Sequence, residues 1–172
     1  MADHLTEAGE RLRLADGRVV TIRPVHAADA PAERTFYAGL SPQTLRLRFH
    51  HEGAGVLNDA LIRFYTEVDQ NRHLAFVCEA DGRIVGDVRC IAHPGGEACE
   101  LGIVVADAWH HTGIAQRLMA TLAAAARGRG YRSIEGLVLA ENSDMLDFVR
   151  TLGFQTHPMP PAPDTVRVVK RL

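Results

Sequence analysis

Between an apolar run, Leu101-Gly102-Ile103-Val104-Val105, and a stretch with helical spacing stands a polar turn, His110-His111-Thr112-Gly113. The first N–H groups of a helix have no partners within it, and the helix dipole adds partial positive charge there. A turn that wraps such donors around a point binds an anion without lysine or arginine. Gly113 permits close approach of the backbone, Thr112 offers a hydroxyl, and Ala115 keeps the first helical turn narrow. The chemistry that suits this arrangement is the holding of a pyrophosphate. The turn carries neither the GxGxxG of a dinucleotide fold nor the GxxxxGK of a phosphate loop. An ordinary strand-to-helix turn that happens to contain glycine is the competing reading.

Just ahead of the turn stand two carboxylates, Glu97 and Glu100. A carboxylate in an apolar strand beside an anion site is a candidate general base. Strand alternation does not choose between them, because one bulge would change which residue faces the site. Exposure to solvent, or pairing with Arg89, competes as a reading of Glu100. Asn142 opens a later helical stretch, where its default role is an N-cap. The chain has nine histidines. His50-His51 and His110-His111 are adjacent pairs rather than neighbours on one helix face, and no metal is expected.

The elements that must position these residues follow from periodicity and turn signals. Residues 1–13 read as a loose lead-in, with strand character from Arg18 to Arg23. Residues 27–40 read as a helix closed by Ser41-Pro42. Residues 41–58 read as a long polar connection with apolar anchors at Leu45, Leu47 and Phe49. Asn58 or Asp59 caps a second helix. Three strands follow, the first two joined at Asp81-Gly82 and the last two at Pro94-Gly95-Gly96, as an antiparallel meander. In residues 112–129, Ile114, Leu118, Leu122 and Ala126 recur every fourth residue and give one apolar helix face. A strand over 133–140, a short helix ending at Gly153 and a final strand over 165–170 complete the order, with a further short strand near 154–157. The expected fold class is α/β (α+β mixed sheet), a central, mostly antiparallel twisted sheet with helices on both faces.

The 172 residues suit a single domain, residues 1–172, with a real core. Apolar residues make up 47% and charged residues 23%, with a formal net charge of −2. Such a balance gives no field for gathering nucleic acid, and no apolar run is long enough to span a membrane. Three cysteines without a CxxC pair argue against a disulfide framework and for a reducing cytoplasm, with each cysteine a small buried residue.

His110-His111-Thr112-Gly113-Ile114-Ala115 resembles the Gln/Arg-x-x-Gly-x-Gly/Ala turn of the GNAT superfamily of acyl-CoA N-acyltransferases. Asn142 followed by a helix ending in Leu152-Gly153-Phe154 matches that superfamily's later signature. Segments such as VVTIRPVHAADA and LSPQTLRLRF are similar to the GNAT domain of bacterial protein lysine acetyltransferases. The likeness covers residues 14–156.

The resemblance implies acetyl-CoA as cosubstrate. It would be held by Ile103, Val104 and Val105, by the turn from His110 through Ala115, and by Asn142. Glu100 becomes the base for a primary amine, a protein lysine being the favoured acceptor. A small amine is the alternative, as is a degenerate acyl-CoA-binding sensor, and a homodimer is compatible with the family. Two positions depart from the pattern. His110 replaces Gln or Arg, and Val149 stands where many members have a tyrosine that protonates the leaving thiolate.

Overall fold

The computed structural model describes residues 8–50 and 57–172. Eight strands form one sheet: β1 (Glu10–Arg13), β2 (Val19–Pro24), β3 (His73–Ala80), β4 (Arg83–Ala92), β5 (Ala98–Val105), β6 (Ser133–Leu139), β7 (Gln155–Pro158) and β8 (Thr165–Arg171). Their spatial order is β1-β2-β3-β4-β5-β6-β8-β7, and every neighbouring pair is antiparallel except β5 and β6. The expected mixed, mostly antiparallel sheet is therefore present. The lead-in is shorter than expected, because Glu10–Arg13 pairs with β2. Its residues 1–7 lie outside the described residues.

Five helices accompany the sheet: α1 (Ala30–Ala38), α2 (Pro42–Phe49), α3 (Asp59–Thr66), α4 (Ile114–Gly128) and α5 (Ser143–Thr151). Helix α2 corrects the reading of residues 41–58 as an open connection. Ser41-Pro42 closes the region after α1 and also begins the next helix. Ser41 Oγ accepts from Thr44 N–H at 3.1 Å, and Pro42 occupies the first turn, where its missing N–H costs nothing. His50 ends the helix in a left-handed conformation, φ 62°.

Two apolar layers sandwich the sheet. On one face Ile114, Leu118 and Leu122 of α4 pack with Leu146 and Val149 of α5 over Val88, Cys90 and Ile134. On the other, Phe36 and Tyr37 of α1 and Tyr65 of α3 cover Val77, Ile84 and Val104. Alternation along the strands sends successive side chains to opposite layers, which lets one sheet serve both cores.

Cys90 and Cys99 are joined by a disulfide, contrary to the expectation from cysteine count. Sequence spacing conceals the pairing, while the β4–β5 register reveals it. Cys90 lies opposite Leu101 and Ala92 opposite Cys99, so both cysteines point to the α4 layer with Cα atoms 5.4 Å apart. The bond removes cysteine usage as an argument for a reducing compartment. Cys78 is free and buried. Among the described residues no helix is long and apolar enough to cross a membrane, and no group of three or more His, Cys, Asp or Glu is placed to hold a metal ion.

Candidate functional site

β5 and β6 pair only over Ala98↔Ser133, Cys99↔Ile134 and Glu100↔Glu135. Beyond Glu100 the two strands part. Backbone direction in β5 follows from its flanking bonds. Ala98 C=O accepts from His93 on the β4 side at 2.9 Å, while Glu97 C=O accepts from Arg132 on the β6 side at 2.8 Å. Val105 C=O meets His110 Nε2 at 2.9 Å, also away from β4. Alternation then turns the N–H of Ile103 and Val105 into the gap, with no strand opposite. A cavity of about 960 Å³ fills this gap and continues to the start of α4.

At that start Gly113 has φ 90°, in the left-handed region that favours glycine, and no side chain caps the helix. The first intrahelical bond is Arg117 N–H to Gly113 C=O at 3.2 Å. None of the backbone N–H groups from His111 to Gln116 donates to another described residue. A Cβ on Gly113 would project into open space, with Gln116 Oε1 at 3.9 Å as its sole near neighbour. The turn thus has the donors and the clearance that a pyrophosphate needs.

The structure brings most of the expected residues to one place. Glu100, Ile103, Val104, Val105, His110, His111, Thr112, Gly113, Ala115 and Asn142 all line the cavity. Ile114 does not. Its side chain is 1% exposed and belongs to the core under α4, so it can contribute only its backbone. The hydroxyl expected from Thr112 is committed instead, donating to Trp109 C=O at 2.7 Å. His110 turns back to β5 through its bond to Val105, which satisfies a carbonyl left over where the ladder ends. Asn142 caps α5, accepting from Met145 N–H at 3.2 Å through its carbonyl oxygen, and its amide NH₂ remains as a donor.

The geometry separates the two carboxylates. β5 runs without a bulge, the sheet's irregularity lying at Cys78/Glu79 of β3. Glu100 therefore shares a face with Gly102 and Val104, away from α4, and lies exposed on the cavity wall. Glu97 precedes the strand, is 75% exposed and faces Arg132 at 3.8 Å. Arg89 is no partner for Glu100, being buried and bound to Asp87, with Nε to Oδ1 at 3.0 Å.

Several residues near the site escaped the sequence reading. Asp107 accepts from Ser41 N–H at 3.0 Å and from the hydroxyls of Ser41 and Thr44 at 2.7 Å each, pinning α2 to the turn ahead of α4. Partial burial would raise its pKa, but these donors outweigh it and bring it down to about 2. The signal available was an Asp directly after a strand and a Ser-Pro-x-Thr run, with nothing to link them. Arg48 reaches the cavity from α2, and a Cβ on Gly102 would collide with its guanidinium. The two arginines of α2 part company: Arg46 is ion-paired to Glu141, and Arg48 points into the cavity. His51 lies outside the described residues.

Behind Arg48 is a buried polar cluster. Glu33 and Asp87 are 0% exposed, and Arg89 is 1% exposed. Burial, then the charge of Asp87, pushes the Glu33 carboxyl up to about 10, so it holds a proton at neutral pH. Burial would also raise Asp87, but Arg89 holds it below the ordinary carboxylate value. Burial takes His73 down to about 4, and it sits 3.1 Å from Arg89.

The GNAT acetyltransferase family model matches residues 42–154, which contain the turn, Glu100 and Asn142. The chain belongs to the GNAT acetyltransferase family. As a GNAT acetyltransferase it is 33% identical to an acetyltransferase of Pseudomonas aeruginosa, over 99% of this chain and 89% of that one. The GNAT domain of S. lividans PAT superimposes with a TM-score of 0.90 at 24% identity, covering 99% of this chain and 100% of that one. A Salmonella typhimurium protein described as the putative acetyltransferase yncA, solved with acetyl-CoA, gives a TM-score of 0.71 at 20% identity, covering 89% and 94%. Within this GNAT fold Val149 is 0% exposed in the core, so its position offers no proton to a leaving group.

Proposed function

We propose that this enzyme moves the acetyl group of acetyl-CoA directly to a primary amine in a ternary complex, and that the amine is a lysine of a protein. One observation carries the proposal. A continuous cavity joins six unpartnered N–H groups at the start of α4 to the gap between β5 and β6, with Glu100 on its wall. The N–H groups from His111 to Gln116 suit the pyrophosphate. The gap suits the extended thiol-bearing arm, with Asn142 as a further donor. Ile103 N–H is directed to where the thioester oxygen gains negative charge.

A lysine amine, of free pKa ~10.4, attacks only when neutral, and Glu100 is the carboxylate that takes its proton, directly or through water. The C–S bond breaks as the amide forms. The thiolate leaves without an acid from Val149, and solvent protonates it, since a thiol of pKa ~8.5 leaves tolerably as the anion. Likeness to the GNAT domain of protein lysine acetyltransferases supports the acceptor. A small amine is the second reading, favoured by α2, which covers ground beside Glu100 where an open loop was expected. Release of free CoA, followed with folded proteins including acyl-CoA synthetases and with a panel of free amines, tests both. Turnover confined to free amines removes the protein acceptor. Binding of acetyl-CoA with no turnover on any amine removes catalysis.

A further inference from the structure

We propose that Arg48 acts as a fixed positive charge that lowers the pKa of the bound acceptor amine, so that Glu100 receives its proton near neutral pH. The inference rests on the acetyl-transfer reading and extends it to Arg48 of α2, a residue with no role in that reading. Arg48 lines the cavity from α2, and its guanidinium lies against Gly102, where a Cβ would force it to move. Glu100 precedes Gly102 by two positions on the same strand face, ~6–7 Å away by strand rise. An amine that attacks a thioester at Ile103 N–H enters between these two groups.

Among the described residues no carboxylate is ion-paired to Arg48, although its charge helps to hold buried Asp87 low. The Nε of Arg48 is buried without a hydrogen-bond partner. Among the described residues it donates to a neutral group, Tyr65 Oη of α3, at 3.5 Å. Burial raises both Tyr65 and Tyr37 of α1 above the ordinary tyrosine value, which keeps them uncharged. From α1 as well, Glu33 holds its proton, and on β4 the negative charge of Asp87 is matched by Arg89. On α2 itself, His50 lines the cavity and Arg46 is bound to Glu141. The carboxylates that line the same cavity are Asp107, bound by Ser41 and Thr44, Asp144 of α5, and Glu100 on β5, the group that must accept the proton. The size of the effect follows from Coulomb's law: a unit charge within ~7 Å of an amine, at an effective dielectric constant of ~20–40, lowers its pKa by about one to two units or more.

The test is the pH dependence of kcat, which reports groups in the bound complex. It compares the unsubstituted enzyme with Arg48→Lys and Arg48→Met. The acceptors are a lysine side chain in an N-blocked peptide and the more weakly basic α-amine of a peptide, of free pKa ~7.7–8.0. With Arg48→Met the ascending limb for the lysine acceptor should move up by about one to two pH units. Near neutral pH kcat should fall about 10- to 100-fold and recover as pH rises, and the loss should be smaller for the α-amine. Arg48→Lys keeps the charge and should keep the limb. A loss that is independent of pH and equal for both amines assigns Arg48 to structure or to the oxyanion and overturns the inference. So does an unmoved limb. If the unsubstituted enzyme acetylates no amine, the acetyl-transfer reading falls and this inference with it; turnover with an unmoved limb overturns this inference alone.

Discussion

At the scale of single residues, the division of labour is between one carboxylate and one glycine. Glu100 faces the cavity because β5 is regular up to the point where β6 leaves it, and Glu97 falls outside that strand. Glu100→Gln keeps the shape and removes the proposed proton acceptor. Turnover should fall by ~10²–10⁴-fold while acetyl-CoA affinity, measured by calorimetry, stays the same. Glu97→Gln should leave both nearly unchanged. Gly113 combines a left-handed backbone with open space where a side chain would project. Gly113→Val places a branched group there and strains the turn. Acetyl-CoA binding should be lost in a protein whose circular dichroism spectrum remains that of the folded state. Retained affinity would take this turn out of the site.

At the scale of elements, α2 has no fully buried residue and is held by Asp107 together with the partly buried anchors Leu45 and Phe49. The folded-state pKa of Asp107 is depressed to about 2. The latch is therefore complete above the ordinary Asp value, ~3.9, and is lost as pH falls through about 2. Trp109, the single tryptophan, stands two residues away and reports on it. Its fluorescence should change with a midpoint near 2 in the unsubstituted protein, and Asp107→Asn should abolish that step. The β4–β5 hairpin makes a separate prediction. Under non-reducing conditions, alkylation of the denatured chain should modify Cys78 alone, and three cysteines only after reduction. Labelling of all three without reductant would show the Cys90–Cys99 bond absent.

At the scale of the whole molecule, the sheet separates an apolar layer under α4 and α5 from a layer that includes a protonated carboxyl and a buried ion pair. Burying such groups is expensive, and breaking one member leaves the other uncompensated. Glu33 makes this visible through pH. Its folded pKa, about 10, lies above the ordinary glutamate value of 4.5, so the native state holds a proton that the unfolded chain releases. Between those values stability falls as pH rises. Glu33→Gln removes that dependence. From about pH 5 to about pH 8, the variant should gain stability steadily relative to the parent, read from urea midpoints. Parallel curves for the two proteins would show that Glu33 is ionised in the fold.

What the sequence determined by itself was local. The strand, polar turn and glycine before an apolar helical stripe were legible at 101–126, because periods of two and of about four residues are written in consecutive positions. The hairpin at Asp81-Gly82 was legible for the same reason, and the family pattern was carried by the turn at His110–Ala115 and the run from Asn142 to Phe154. The tertiary structure decided everything that depends on which strand lies beside which. Register, not spacing, joined Cys90 to Cys99 and gave Glu100 rather than Glu97 a place on the cavity wall. Packing of α2 over β5 brought Arg48 into the cavity, and the hydrogen bonds that Ser41 donates to Asp107 hold that helix in place. The cluster of Glu33, Asp87 and Arg89 drew its residues from α1 and β4. Each reads as an ordinary exposed charge until both elements are laid on the same face of the sheet. Local propensity specifies an element, but the partner of a buried charge is set by contacts between segments distant in the chain.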